Sequence, residues 1–553
     1  MVDTVSRNTK KTFLSGVLLL TLSTVLVKII GLVYKIPMLA YLGSEGMGYF
    51  NSAYEIYALF CVISTAGLPV ALSVLVSDAV ERGDGERVCR IYRAALAVFL
   101  LIGVLGSAVM WLFADAFCRM IQSEGAYRCI VSIAPTVFFV CLSSAIRGYF
   151  QGHQRMLPTA VSQIIEAVGK LVFGLLLARY ALHRGYDTAT VAAFAGWGLT
   201  IGTAVSAIYL TVEKLRFHPV EETAKKETKS AAFSEKYREI WQSLARLAIP
   251  MTLGASLVSL TKLVDMTMIL RRLQSIGYGE VAANEAYGSY TTLALSVFGL
   301  LPTLVNSVAL PLVPMLSAAI ASGDRERQAE MIKSSYRLTA MFSIPAALGV
   351  AAYARPILGL LFSHEPEAVA VAAPLLSCLG VPVFLSCMIT ATNSVLHAYQ
   401  VVNRPIVAML IGAAVKIVSA YFLIGNEAVG LLGAPVSTFL CDATVVLLNL
   451  WYAAPLCRVT GLREIFGKPL LCAAISVGGS YAIYLVLLPR VGESAILTLG
   501  SLFLTVALYL VLSCALGVID EESIRTLPMG DRLLKLLQRL RLVRSGDRIK
   551  KQE

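Results

Sequence analysis

The chain has 553 residues, of which 57% are hydrophobic and only 15% are charged, and its formal net charge is +12. A soluble protein of this length carries about 25% charged residues, so the composition excludes a soluble protein and predicts one that lies in a membrane. Apolar stretches of about 20 residues, long enough to cross the hydrocarbon core as helices, recur along the chain. The short alternating segments of an outer-membrane barrel are absent.

In chain order, the apolar stretches predict roughly fourteen transmembrane helices. They cover residues 12–34, 49–77, 94–114, 129–149, 160–180, 190–212, 244–270, 287–315, 338–362, 368–396, 405–424, 429–453, 469–488 and 494–518. The predicted fold class is therefore an all-α polytopic membrane protein.

The basic residues lie mostly on one side of these spans. With the N-terminus placed inside, the predicted cytoplasmic segments hold most of the 47 Lys and Arg residues, among them Arg7, Arg87 and Arg325. This asymmetry is the positive-inside pattern, so the net charge indicates topology and not nucleic-acid binding. It places both termini in the cytoplasm. The first apolar stretch is expected to remain as a span, because it contains Lys28 and lacks a cleavage site.

Two pairs of loops resemble each other across the chain. Residues 77–84 (SDAVERGD) match 317–324 (SAAIASGD), and 150–158 (FQGHQRMLP) match 397–405 (HAYQVVNRP). Both matches fall after equivalent spans and at nearly the same spacing. They predict an internal duplication into two parallel six-helix lobes around a central cavity, with two extra C-terminal helices.

The duplication divides the chain into five predicted regions. These are an N-terminal six-helix lobe (1–212), a charged cytoplasmic linker (213–243), a C-terminal six-helix lobe (244–453), two additional helices (454–518) and a basic amphipathic tail (519–553). The tail pattern is typical of a helix that lies on the anionic inner leaflet. A partner-binding helix is the alternative.

Charged residues within or beside the spans are the candidate functional residues, because a charge at mid-bilayer costs about 3 kcal/mol on insertion scales. The candidate substrate-binding cations are Lys28, Lys35, Lys262 and Lys416. The candidate charge-switch or coupling residues are Glu55, Glu166, Lys170 and Asp265, and Asp442 is a further acid in a span.

Each candidate also has a structural interpretation. Glu166 with Lys170, and Lys262 with Asp265, have spacings that let them neutralise each other on one helix. The alternatives for the remaining residues are solvation at interface depth for the acids and snorkelling for the lysines. We favour a water-filled, positively biased cavity, which suits an anionic substrate such as a phosphate.

Glycine and proline predict breaks in three spans. Gly67-Leu-Pro69 interrupts span two, Pro250 opens span seven, and span eight is interrupted by Pro302, Pro311 and Pro314. Such breaks allow hinges for alternating access, and ordinary kinking for packing is the alternative.

The chain shows no metal-ligand cluster, nucleotide-binding loop or nucleophile motif, so neither a metal nor another cofactor is expected. Cys118 and Cys129 flank one predicted external loop, but proximity alone does not predict a disulfide.

Two N-terminal motifs carry a family resemblance. Residues 31–37 (GLVYKIP) with 42–49 (LGSEGMGY), and residues 147–152 (RGYFQG) continuing through 156–166 (MLPTAVSQIIE), resemble the stage V sporulation protein B family. These polysaccharide transporters belong to the multidrug/oligosaccharidyl-lipid/polysaccharide (MOP) flippase superfamily and are related to lipid II flippases.

The resemblance implies a flippase of the bacterial cell membrane that moves a lipid-linked, pyrophosphate-bearing glycan from the inner to the outer leaflet. Its partners would be that glycan, membrane lipids and, as an open alternative, cell-wall synthesis enzymes. Lipid II flippases place arginines on the first helix to meet the pyrophosphate. Here that role would pass to Lys28, and the Arg147 motif would form a cytoplasmic gate or brace.

Two other functional classes stay open at this stage. A cation-coupled multidrug antiporter of the same superfamily would have a cavity dominated by acids. Here, the charged residues in the spans are mostly basic where no opposite charge lies nearby on the same helix. A membrane glycosyltransferase or polymerase requires catalytic carboxylates or a metal site near a loop, and the sequence offers no such pattern.

Overall fold

The structure is a computed structural model that describes residues 2–217, 237–309, 316–317, 319–320, 322–401, 403–456, 461 and 463–518. These residues form α-helices with short 3-10, π and turn segments and no strand, which confirms the all-α prediction. Most of the predicted linker, the predicted amphipathic tail, Pro311 and Pro314 lie outside the described residues.

Seventeen α-helices occur in the described part of the chain. They are α1 (Val2–Thr65), α2 (Leu68–Glu81), α3 (Gly85–Leu112), α4 (Ala114–Ile121), α5 (Tyr127–Gly152), α6 (Leu157–His183), α7 (Thr188–Arg216), α8 (Tyr237–Ser275), α9 (Glu280–Ser289), α10 (Leu295–Ala309), α11 (Arg325–Leu361), α12 (Pro366–Cys378), α13 (Gly380–Ala398), α14 (Asn403–Ile424), α15 (Gly433–Ala453), α16 (Lys468–Val491) and α17 (Ala495–Ala515).

Twelve helical segments in the described residues are long and apolar enough to cross a membrane. One of them, Leu22–Glu81, includes residues 22–34 of the first predicted span and all of the second, and a kink at Gly43 (φ 64°) lies between the two. The eighth predicted span is divided among α9, a π-helix at Tyr290–Ala294 and α10. The protein is thus polytopic, and the number fourteen stays a prediction.

The predicted breaks have different outcomes. α1 ends at Thr65 and α2 begins at Leu68, with Pro69 in its first turn, so the break at Gly67-Leu-Pro69 is confirmed. The prediction that Pro302 interrupts span eight is wrong, because α10 continues through this proline; the change in the span lies at the π-helix before α10. The prediction that Pro250 opens a helix is wrong, because α8 begins at Tyr237 and contains that proline. Charged residues, Arg238 and Glu239, lie in its first turn, so the helix extends beyond the apolar stretch that hydropathy detects.

By its internal contacts the chain divides into two compact units, Met1–Thr292 and Leu293–Glu553. In the first unit, α6 and α7 approach closely at glycines, and a Cβ on Gly202 would lie 2.7 Å from the carbonyl carbon of Gly169. Small residues at membrane-helix interfaces allow this approach. α5 joins the same group through Thr136 and Thr200, whose hydroxyl oxygens are 2.7 Å apart.

In the second unit, the two C-terminal helices α16 and α17 pack against α11. The Tyr353 hydroxyl of α11 donates to Ser480 Oγ of α16 at 3.0 Å, and the Tyr509 hydroxyl of α17 donates to the Met341 carbonyl at 2.7 Å. A hydrophobic cluster that includes Tyr353 and Leu497 surrounds the first of these bonds. The helices predicted to be additional are therefore attached by buried contacts.

The first pair of matched loops has the same local geometry in both units. Asp84 caps α3 by accepting from the Arg87 backbone N–H, and Asp324 caps α11 by accepting from that of Arg327, each at 3.0 Å. The glycine before each aspartate has a positive φ, 64° and 73° respectively. The correspondence continues two and three residues beyond each aspartate, where Glu-Arg follows in both cases.

The second pair of loops also recurs, with a shift of one residue. Gln154 and Gln400 both adopt a left-handed backbone, with φ of 56° and 60°. Their N–H groups donate to Gln151 and His397 carbonyls at 2.9 Å in each case. The sequence match had placed Gln400 opposite His153. Both loops support an internal duplication, whereas the lobe boundaries at 1–212 and 244–453 stay a prediction.

The two cysteines beside the predicted external loop are both buried as free thiols in the structure. Cys118 lies on α4 and Cys129 on α5.

Candidate functional site

Three of the four candidate cations come together in the first unit. Lys28 and Lys35 lie on α1, and the charge of Lys262 on α8 is close enough to interact with both of theirs. The Lys28 and Lys262 side chains are exposed on the protein, and Lys35 is partly buried. We call these three residues the lysine cluster.

Lys35 is positioned by an irregular segment of backbone. Its Nζ donates to the Thr291 carbonyl at 3.3 Å. Thr291 lies in the π-helix Tyr290–Ala294, whose wider turn changes the direction of its backbone carbonyls. Lys35 is thus held by a feature that hydropathy does not detect.

Candidate acids lie beside the lysine cluster. The Glu55 carboxylate on α1 interacts with the charge of Lys35, and Asp265 lies one turn along α8 from Lys262. Both acids are near the buried Tyr287 of α9. The structure therefore brings the predicted cations and acids of α1 and α8 into one region of the first unit.

Lys170 of α6 lies among aromatic rings. Its Nζ is 4.6 Å from the ring centre of Tyr54, 5.1 Å from that of Tyr34 and 5.7 Å from that of Phe50. All three rings belong to α1, and each distance is within the range of a cation–π interaction. The ammonium group of Lys170 thus links α6 to both parts of the kinked α1.

Arg147 supplies the ion pair of Glu166. Its Nη2 donates to Glu166 Oε2 and its Nε donates to Ser162 Oγ, each at 2.9 Å. Nη2 also approaches Ser206 Oγ of α7 at 3.4 Å. Glu166 therefore forms its ion pair with Arg147, and it acts on Lys170 of its own helix through charge. Sequence spacing identifies neighbours on the same helix, whereas this arginine comes from α5.

The fourth candidate cation lies in the second unit, beside an acid. Asp442 of α15 accepts a hydrogen bond from Ser386 Oγ at 2.7 Å, and its charge interacts with that of Lys416 on α14. Lys416 has no acid on its own helix, but the neighbouring helix supplies one. The nearby carboxylate weakens the argument that Lys416 must face an anionic substrate.

Sequence reasoning missed a polar cluster between α1 and the π-helix. Asn51 Nδ2 donates to Thr291 Oγ1 at 2.8 Å and to Thr292 Oγ1 at 2.9 Å. Nearby, Gly48 lies against the Asn284 carbonyl, and Gly288 against that of Ser44. The sequence feature that could have predicted this cluster is the presence of small residues at the predicted external ends of spans two and eight. Such residues favour close contact between helices.

Known proteins and protein families resemble this chain in sequence. A family profile described as "Polysaccharide biosynthesis protein" matches residues 13–320, and a "MatE" profile matches residues 250–422. The chain is 24% identical over 529 residues to Stage V sporulation protein B of Bacillus subtilis (strain 168), covering 95% of this chain and 99% of that protein. It is 24% identical over 419 residues to Lipid II flippase MurJ of the same organism, covering 73% and 76%.

Solved structures share the fold. The inward closed conformation of Lipid II flippase MurJ has a TM-score of 0.69 at 16% identity, covering 90% of this chain and 98% of that chain. The inward-facing conformation of a multidrug resistance MATE family transporter of the MOP superfamily has a TM-score of 0.62 at 15% identity, covering 77% and 93%.

Proposed function

The chain belongs to the polysaccharide biosynthesis protein family of the MOP flippase superfamily, and we propose that it translocates a lipid-linked oligosaccharide from the inner to the outer leaflet by alternating access. The proposed cargo is a polyprenyl pyrophosphate glycan, such as a peptidoglycan precursor. The protein would act as a transporter in the bacterial cell membrane, with both termini in the cytoplasm and without covalent chemistry.

The lysine cluster is the observation that carries this proposal. Three ammonium groups on α1 and α8 share one region of the first unit. Bringing like charges together in a membrane protein is unfavourable unless acids, water or an anion compensate them. A pyrophosphate would neutralise several of them at once, and lysine serves such a ligand as a point charge.

The remaining residues have proposed roles in the transport cycle. Lys28 and Lys262 would meet the pyrophosphate, because their side chains are exposed. Glu55 and Asp265 would hold these cations when the substrate leaves. Arg147 would act as a brace, since its bonds connect α5, α6 and α7.

Replacement of Lys28 tests this proposal directly. In a host whose growth depends on the protein, Lys28→Ala and Lys28→Glu should fail to complement at normal protein levels, whereas Lys28→Arg should retain function. Native mass spectrometry of wild-type protein should show a co-purifying polyprenyl pyrophosphate. Occupancy should fall roughly tenfold in Lys28→Ala, as expected for the loss of a contact with a charged group.

Lys468→Ala provides the matched control, because this lysine is exposed at the first residue of α16 and lies outside the lysine cluster. It should complement fully. Full complementation by Lys28→Glu at normal protein levels would remove Lys28 from the mechanism. A normal lipid occupancy in Lys28→Ala would refute its contact with the pyrophosphate.

A cation-coupled multidrug antiporter is the second candidate function. The MatE profile match at residues 250–422 favours it, together with an acid of the second unit, Asp442, whose charge interacts with that of Lys416. Resistance profiling on overexpression distinguishes the two functions. Export of cationic drugs that disappears in Asp442→Asn would support the antiporter, whereas the flippase proposal predicts no change in resistance.

A further inference from the structure

A groove opens in the second unit where α14 begins and α15 ends. It has a volume of about 620 Å³, and its lining includes Arg404, Val407, Trp451, Tyr452 and Pro455. None of its lining residues belongs to the lysine cluster. Its lining combines one guanidinium group with aromatic and aliphatic surface.

Arg404 is held in place by an aromatic ring. Its guanidinium carbon lies 5.2 Å from the ring centre of Tyr452. Stacking on a ring limits the freedom of the guanidinium group and leaves its N–H donors available at the ring's edge. A planar cation with several donors suits the oxygens of a phosphate.

An apolar strip leads away from the groove along both helices. Leu410 follows Val407 by three residues on α14, and Leu447 precedes Trp451 by four on α15, so each pair shares a helix face. Leu447 is 67% exposed and Leu410 46% exposed. On a membrane protein, such a strip offers a surface to acyl chains.

The groove has the composition of a membrane–water interface. Trp451 is 68% exposed beside Tyr452, and tryptophan and tyrosine are enriched where helices leave the hydrocarbon. The predicted topology places this end of α14 and α15 at the cytoplasmic leaflet, where anionic lipids give a negative surface potential. Basic pockets between helices on this side bind anionic head groups.

We propose that this groove binds an anionic phospholipid of the inner leaflet. Arg404 contacts the lipid phosphate, Trp451 and Tyr452 surround the head group at interface depth, and an acyl chain lies along Leu410 and Leu447. The lipid holds the cytoplasmic ends of α14 and α15 together. The bound lipid is a component of the membrane and is not the transported substrate.

Native mass spectrometry of the purified full-length protein tests this site. The protein is incubated in detergent with phosphatidylglycerol or with phosphatidylcholine, and bound lipids are counted. We expect phosphatidylglycerol adducts that Arg404→Gln weakens about fivefold, which corresponds to about 1 kcal/mol per basic residue near an anionic surface. Arg404→Lys should lose less, because it keeps the charge without the stacked geometry.

Arg93→Gln is the matched control, since it removes one exposed arginine from α3 in the first unit. It should bind phosphatidylglycerol as the wild type does, and all variants should elute as the wild type does in size exclusion. Equal binding of phosphatidylcholine, or equal losses in Arg93→Gln and Arg404→Gln, would overturn the proposal. Displacement of phosphatidylglycerol by inorganic phosphate at equal concentration would also overturn it, because the site would then recognise free phosphate and not a lipid.

Discussion

The ion pair between Arg147 and Glu166 permits a quantitative prediction. The two side chains are 14% and 26% exposed, and their 2.9 Å contact joins α5 to α6. Arg147→Met removes the guanidinium group and leaves the Glu166 carboxylate mostly buried without its ion-pair partner. The same substitution removes the Nε group that donates a hydrogen bond to Ser162 Oγ.

The magnitude follows from this burial. Breaking a buried pair by removing one partner costs about 3–5 kcal/mol, and the remaining exposure places Arg147→Met near the lower end, at about 3 kcal/mol. The control is Arg119→Gln, which breaks an i,i+4 pair with Asp115 whose side chains are 75% and 73% exposed. Pairs of that kind contribute about 0.3–0.5 kcal/mol.

The assay is equilibrium unfolding of the purified protein in mixed detergent with increasing dodecyl sulfate. The free-energy cost of Arg147→Met combined with Glu166→Met should be at least about 1 kcal/mol smaller than the sum of the two single costs. Glu166→Met combined with Lys170→Met should depart from additivity by less, because Glu166 acts on Lys170 through charge, whereas it forms an ion pair with Arg147. Additivity for the first pair, or a larger departure for the second pair than for the first, would refute the assignment of Arg147 as the partner of Glu166.

Two further predictions concern packing and thiol chemistry. Gly288→Ala should lower the unfolding midpoint, because the added Cβ would overlap the Ser44 carbonyl. Gly254→Ala is the control, since a Cβ at Gly254 meets open space and should leave the midpoint unchanged. Equal midpoints for the two variants would contradict the close contact at Gly288. Burial raises the pKa of the Cys118 thiol to about 12, so maleimide at pH 7.5 should label it only after denaturation. Loss of that labelling without reductant would show a disulfide with Cys129, which the structure does not contain.

Hydropathy was sufficient to predict helical segments because each span carries its signal locally. The break at Gly67-Leu-Pro69 was likewise predictable, since proline and glycine act on the backbone where they occur. The start of α8 was not, because residues 237–243 (YREIWQS) mix charged and apolar side chains and are helical all the same. Apolar content identifies the part of a helix that lies in lipid, and it does not identify where the helix begins.

Partners across helices were not predictable from spacing. Glu166 and Lys170 lie on one helix at a favourable separation, but the rotation of α5 against α6 brings Arg147 to the acid. The aromatic surroundings of Lys170 depend in the same way on how the kinked α1 packs. Such contacts follow from interaxial rotation and distance, which the single-helix pattern does not contain.

The predicted internal duplication identifies residues that a repeated fold is enough to explain. Asp84 and Asp324 cap their helices with the same bond in both units, so their presence is explained by helix capping alone. The lysine cluster differs, because Lys28 and Lys35 lie in the predicted N-terminal lobe and Lys262 lies in the predicted C-terminal lobe, so neither predicted repeat contains the whole cluster. Helix capping of the kind that explains Asp84 and Asp324 does not explain these three lysines. Recognition of an anionic headgroup, which we propose for the cluster, gives them a role that the repeated fold does not.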